Sequence, residues 1–334
     1  MPADNLVGAV ARMLALKRNA TLAKLPAAQI AVLAEHARDR LVPRGTVLLR
    51  EGEPIESVYY IVDGRAHLTI RGRTLGDAGP GTALGAPSFF ARDPEGLGAV
   101  AETDVLALEL DADTLLEIFE DHFPILLHIL REMCRELVEV GKRVPAELAI
   151  KLPPSEGPGR PTSELDLVER IFVLRRAAPF TRTSISALAE LARGMAEIHF
   201  QPGVELWREG EPAGGLLLLV SGRVVCTSQG VSFEVGPGSP LGALESMADR
   251  PRLYQAVTHT PVVALQGNVE NLIDTFEDNF EMAMDYLAVM ARWLLELLDR
   301  YASGDLGRLY GIEELPSIEA HREPPASEPE PAAT

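Results

Sequence analysis

The sequence predicts an α+β protein made of two repeated β-roll domains of jelly-roll type, each flanked by short N-terminal helices and a long C-terminal helix. Three observations predict it. The segment Arg50-Glu51-Gly52-Glu53-Pro54 returns as Arg208-Glu209-Gly210-Glu211-Pro212, 158 positions further on, which marks a unit written twice. Inside each copy the hydrophobic period changes from helical to alternating and back to helical. At 334 residues, 46% of them hydrophobic, the chain has material for about two ordinary cores.

The same offset pairs Val10, Leu16, Lys17 and Arg18 with Val168, Leu174, Arg175 and Arg176, so each unit opens on a helix. It also pairs Gly64-Arg65 with Gly222-Arg223. One position is then lost, and an offset of 157 joins Pro80-Gly81 to Pro237-Gly238, Gly85-Ala86 to Gly242-Ala243, Pro94 to Pro251, and Phe119-Glu120-Asp121 to Phe276-Glu277-Asp278. A second short helix follows the first, with Ile30, Leu33, Ala34 and Ala37 on one face and Leu188, Leu191, Ala192 and Met195 repeating them. Short strands come next, at Thr46–Leu49, Val58–Val62, Ala66–Ile70 and Val105–Leu108, bounded by turn residues at the spacing of a β-roll. Asp63-Gly64 and Ser221-Gly222 lie between consecutive strands, where a tight turn asks for positive φ. The closing helices are expected from about Thr114 to Val140 and from about Asn271 to Tyr301, with a break expected only in the first, near Pro124.

The second closing helix carries a narrow polar stripe, Glu281, Asp285, Arg292, Glu296 and Asp299, against a broad apolar surface that includes Tyr286, Met290, Trp293 and Leu297. One β-roll cannot cover so much. The helix is expected to pack on a second body, either the other unit or the same helix of another copy in a homodimer. Composition sets the remaining boundaries: domain 1 at 1–145, a Pro/Gly-rich linker at 146–166, domain 2 at 167–301, and a disordered acidic tail at 302–334.

Several function classes are disfavoured. A net charge of −18 with no basic run argues against nucleic acid as a partner. The longest purely apolar run, Leu216 to Val220, is far short of the roughly 20 residues of a spanning helix, so no membrane insertion is expected. Met1-Pro2-Ala3-Asp4-Asn5 shows no basic-then-apolar leader, and Cys134 and Cys226 stand at non-equivalent places and read as buried free thiols, which fits a reducing, cytoplasmic compartment. The seven histidines form no metal-ligand cluster, and no nucleophile is paired with a base. No catalytic residue, metal or cofactor is therefore assigned.

A glycine-led turn into a helix at Gly242 offers backbone amides to an anion, and Arg252 ten residues on is suited to bidentate phosphate binding. With these residues in view, the order of short helices, roll and closing helix resembles the cyclic-nucleotide-binding domain family over both units, and the tandem layout is similar to that of kinase regulatory subunits. The family's phosphate cassette reads roughly Gly-Glu-Leu-Ala-Leu, a spacer, then Pro-Arg-Ala-Ala-Thr. The resemblance implies a glutamate on the ribose hydroxyl, and an arginine and the leading amides on the cyclic phosphate. In the second unit Gly242, Leu244, Pro251 and Arg252 match, while Ala243 and Gln255 stand at the glutamate and threonine positions. Glu245 lies two places along, turned by about 200° on a helix, and is badly placed to substitute. In the first unit Gly85 and Pro94 match, but Ala86 and Glu95 replace the glutamate and the arginine, which sets a negative charge where phosphate would sit. Pro87, Phe89 and Phe90 suggest a pocket filled by side chains.

The expected function is a non-catalytic regulatory adaptor that acts on an unidentified protein partner, its domain 1 binding no ligand. The alternative is a receptor that takes cAMP or cGMP in domain 2 only, through Gly242, Ala243, Leu244, Glu245 and Arg252. A transcription regulator of this family would follow its closing helix with a helix-turn-helix, which the acidic, Pro-rich sequence after Tyr301 does not resemble. Leu174-Arg175-Arg176-Ala177-Ala178 looks like a kinase-inhibitory segment, but it falls in the repeated opening helix and reads as a solvated helix end.

Overall fold

The computed structural model describes residues 8–93, 96–142, 164–301 and 312–313. The first unit runs α1 (Ala9–Leu16), a 3-10 turn at Leu22–Lys24, α2 (Ala27–His36), β1 (Arg38–Val42), β2 (Val47–Leu49), β3 (Ser57–Asp63), β4 (Ala66–Ile70), β5 (Arg73–Ala78), β6 (Ala83–Leu84), α3 (Ala86–Ala91), β7 (Leu97–Ala101), β8 (Val105–Asp111), α4 (Ala112–Asp121) and α5 (Phe123–Gly141). The second repeats it as α6 (Leu167–Arg176), a 3-10 turn at Phe180–Arg182, α7 (Ile185–Arg193), β9 (Ala196–Phe200), β10 (Glu205–Trp207), β11 (Leu216–Ser221), β12 (Val224–Ser228), β13 (Val231–Val235), β14 (Pro240–Leu241), α8 (Ala243–Ala248), β15 (Gln255–Thr258), β16 (Val262–Gly267), α9 (Val269–Asp278) and α10 (Phe280–Tyr301), after which comes β17 (Ile312–Glu313). In each unit the strands form two antiparallel sheets. Their orders are β1-β8-β3-β6 and β17-β5-β4-β7-β2 in the first, and β14-β11-β16-β9 and β10-β15-β12-β13 in the second.

The repeat is visible in the chemistry of its turns and caps. Gly64 and Gly222 hold φ of +91° and +88°, and a Cβ at either would lie 2.3 Å from a backbone oxygen, that of Asp104 or Pro261, so both the turn and the close approach require glycine. Asp111 accepts the Thr114 amide at 2.9 Å to start α4, and Asn268 accepts the Asn271 amide at 2.7 Å to start α9. Asp166 forms a capping box with Glu169 at the head of α6, and the Leu165 amide donates to Glu197 at 2.6 Å. The last residues of the expected linker therefore belong to the second unit. The rest of that linker from 146 to 163 lies outside the described residues, as does the expected tail except for Ile312 and Glu313. Those two pair with Ala78 and Asp77 on β5, a strand where disorder is expected.

Both closing helices are broken. The second break, at Asn279, is a correction: this residue sits at φ −137°, ψ 78°, and its side-chain amide donates to the Thr275 carbonyl at 3.0 Å. Pro124 is not the shared cause, because Glu281 occupies its place in the second unit.

The apolar face of α10 is buried within the chain. Tyr286, Met290 and Leu297 are buried, as are Leu287, Ala291, Leu294 and Leu298, and Trp293 is half-buried. Helix α10 packs on α3 and α5 of the first unit, and α5 packs on α8 of the second, so each short helix after β6 or β14 lies against the closing helix of the other unit. Of the two covers expected for this face, the other unit and a second copy, the structure shows the other unit. Arg92 pairs with Asp285 at 3.1 Å, Arg71 with Asp299 at 2.5 Å and Arg73 also with Asp299. Arg135 Nε donates to the Ala248 carbonyl at 3.0 Å and so caps α8 from the first unit.

Arg135 is itself held by the buried Glu132, which also takes Lys24 Nζ at 2.5 Å. Burial works to raise the Glu132 carboxyl, but the two cations outweigh it and hold the group below the ordinary carboxylate range. A depressed folded-state value means that this stabilisation is present above the unfolded pKa of about 4.3 and is lost as pH falls through the folded one. Glu132→Gln should therefore cost about 2 kcal/mol at pH 7, and the gap from wild type should close as pH is lowered below about 4. Urea midpoints of both proteins between those pH values test this, and a gap independent of pH would refute it.

Candidate functional site

The sequence brings Gly242 and Arg252 together, and the structure shows that they bind each other. Gly242 adopts φ +72° as the residue preceding α8. Arg252 is 6% exposed; one terminal nitrogen donates to the Gly242 carbonyl at 3.0 Å and the other to the Gly215 carbonyl at 2.8 Å. Its guanidinium carbon lies 4.2 Å from the centre of the Trp207 ring, a cation–π contact. Burial draws the guanidinium below its usual pKa, and Glu245 opposes that shift.

The leading amide is also taken: Gly242 N–H donates to the Tyr254 hydroxyl at 3.1 Å. Tyr254 packs with its ring tilted against Trp207 at 5.9 Å and edge-on to Phe233 at 6.2 Å, and together with Leu217, Leu219, Val224, Cys226 and Val235 these rings form the core inside the second roll. Burial pushes the Tyr254 hydroxyl well above its usual value, so it stays protonated.

Ala243 presents no polar group. Glu245 is buried, and its carboxylate accepts the Leu253 amide at 3.3 Å rather than standing free for a sugar. Burial raises its pKa, with Arg252 opposing. Leu244 is half-buried against the main core.

In the first unit Gly85 holds φ +86° and Ala86 begins α3. A Cβ at Gly85 would lie 3.3 Å from Ile55 Cγ2 and 3.4 Å from Leu49 Cδ1, so aliphatic side chains crowd this turn. Phe90 packs on Phe119 of α4 with centroids 6.0 Å apart. Phe90 thus fills space between α3 and α4, and Phe89 lies beside it with centroids 5.4 Å apart. Glu95 lies outside the described residues.

Sequence reasoning missed Trp207 and Tyr254. The signal for Tyr254 was present, since it falls on the second alanine of the family's Pro-Arg-Ala-Ala-Thr pattern, where a ring brings bulk into the space an alanine leaves. Trp207 takes the repeat position of Leu49, and only the fold reveals that this position faces the arginine.

The sequence model of the cyclic nucleotide-binding domain matches residues 39–122 and 197–279, the two rolls described above. The chain belongs to that family. Among curated relatives, a CRP-like cAMP-activated global transcriptional regulator of Mycobacterium tuberculosis is 29% identical over 128 residues, which is 36% of this chain and 57% of the regulator. The acetyltransferase Pat of Mycolicibacterium smegmatis is 32% identical over 94 residues, 27% of this chain and 28% of the enzyme. The chain thus spans about half or less of the relatives' length. Among solved structures, the regulatory domain of Toxoplasma gondii PKA with cAMP aligns over 84% of this chain and 95% of its own at 16% identity and a TM-score of 0.32. The regulatory subunit of a cAMP-independent protein kinase A from Trypanosoma brucei aligns over 90% and 91% at 17% identity and a TM-score of 0.32. Among the described residues of this chain of two cyclic nucleotide-binding domains, no helix is long and apolar enough to cross a membrane and no cluster of metal ligands occurs.

Proposed function

We propose that this protein is a non-catalytic regulatory adaptor whose two cyclic nucleotide-binding domains act as structural bodies and pass their output through protein contacts, with no nucleotide bound in the first. One observation carries the reading. Arg252, the residue that would meet a cyclic phosphate, has both terminal nitrogens on backbone carbonyls and its face on Trp207. A phosphate would have to replace two buried hydrogen bonds and a stacking contact before it gained anything.

Calorimetric titration of cAMP and of cGMP into wild type and Ala243→Glu tests this. Neither protein should show saturable binding up to millimolar nucleotide, because a new carboxylate cannot recruit an arginine held elsewhere. A gain of a decade or more in Ala243→Glu, undone by Arg252→Ala, would overturn the adaptor reading. It would favour the second one, a cAMP or cGMP receptor that binds in domain 2 only. That reading has an observation of its own in its favour: Arg252 Nε and Trp207 Nε1 are buried without a hydrogen-bond partner.

A further inference from the structure

The repeat places an arginine at the same point of both closing helices, in two different settings. Arg135 in α5 is held by Glu132, one turn before it, and reaches the Ala248 carbonyl. Its counterpart 157 positions on is Arg292 in α10, and the place of Glu132 is taken by Val289. Arg292 is exposed and, among the described residues, makes no ion pair or hydrogen bond. The second unit carries the cation without the carboxylate that holds it in the first.

That cation stands at the wall of a cavity of about 440 Å³, the volume of a small-molecule site. Val289, Met290 and Trp293 line the cavity from α10, with Arg292 and Glu296 at the edge of the same helical stripe, and Leu216 and Leu218 line it from β11. A further wall is the α8 side of the site described above, with Gly242, Glu245, Leu253 and Tyr254. Neither carboxylate of the lining is free: Glu245 accepts the Leu253 amide at 3.3 Å, and Glu296 has a partner of its own. The corresponding space in the first unit is about 180 Å³, narrowed by Tyr60 and Phe90 at the repeat positions of Leu218 and Met247.

We infer that this cavity binds an amphipathic monocarboxylate, its chain among the aliphatic walls and its carboxylate on Arg292, as Glu132 lies on Arg135 in the first unit. Burial of the chain supplies affinity. The charge-assisted bond fixes orientation at the mouth, where water still reaches and no charge has to be buried. A neutral ligand would leave Arg292 unpaired, and a cationic one would meet a like charge. The inference rests on the adaptor reading in one respect, that no nucleotide holds the α8 wall. Because α8 packs on α5, occupancy of the cavity bears on the joint between the units.

Calorimetric titration of the full chain with decanoate and with decan-1-ol tests this. Decanoate should bind at one molecule per chain, and decan-1-ol more weakly. Arg292→Met keeps the apolar stem and removes the charge; it should weaken decanoate about fivefold to tenfold, the effect of one exposed charge-assisted bond, and leave decan-1-ol unchanged. Val289→Glu gives α10 the carboxylate of the first unit and should weaken decanoate at least as much by engaging Arg292 from within. If that variant fails to fold, Leu216→Trp fills the space and should abolish binding of both molecules. Absence of saturable decanoate binding overturns the inference, as does an affinity indifferent to Arg292→Met or binding that survives Leu216→Trp. The adaptor reading outlives that failure as long as cAMP and cGMP also do not bind; saturable nucleotide binding without decanoate binding would sink both.

Discussion

Replacing Arg252 by alanine will lower the unfolding free energy by about 3–5 kcal/mol, the range for breaking a buried charged contact. The loss has three parts. The Gly242 and Gly215 carbonyls lose a charged donor, Trp207 loses the cation on its face, and the buried Glu245 loses the positive charge that offsets its desolvation. Arg252→Met keeps much of the bulk without the donors and should fall between the two. Urea unfolding followed by Trp207 fluorescence in a Trp293→Phe background measures it, since these are the 2 tryptophans of the chain. A loss below about 1 kcal/mol, the size expected for an ordinary surface change, would show that the arginine is not structural.

Leu294→Asp will be comparably damaging, at about 4 kcal/mol, because Leu294 is 0% exposed in the core that α10 shares with the first unit and a carboxylate there gives up its hydration. The damage should also change the shape of the transition. Wild type is expected to melt with its units coupled through the α10–α3 and α5–α8 contacts, and the variant should show two separated transitions by calorimetry. A single transition at the wild-type temperature would contradict the proposed coupling.

The fold was largely readable because its signals are local. The repeated Arg-Glu-Gly-Glu-Pro segment, the glycines at 64 and 222 and the strand alternation each depend on a few neighbouring residues. What failed had other causes. The break at Asn279 carries no proline, and its side-chain bond to Thr275 looks ordinary in sequence. Strand β1, Arg-Asp-Arg-Leu-Val, is mostly exposed and has no apolar alternation to announce it. At the site, Gly242, Ala243 and Arg252 were identified from the family's spacing, but the partner of Arg252 was not. Whether an arginine faces a ligand or its own backbone depends on Trp207 and Tyr254, which reach it from other strands. Helix α10 was readable as needing a cover; which body supplied it was a matter of tertiary arrangement.

The crossed packing of α3 on α10 and α8 on α5 has a consequence for dilution and for inheritance. An assembly of two identical chains comes apart when its concentration falls, whereas two halves on one chain stay together at an effective concentration set by their tether, on the order of millimolar for a short flexible one. Identical chains must also carry every substitution twice. Here Leu49 stands at the repeat position of Trp207, Tyr60 at that of Leu218 and Glu136 at that of Trp293, differences that two identical chains could not hold.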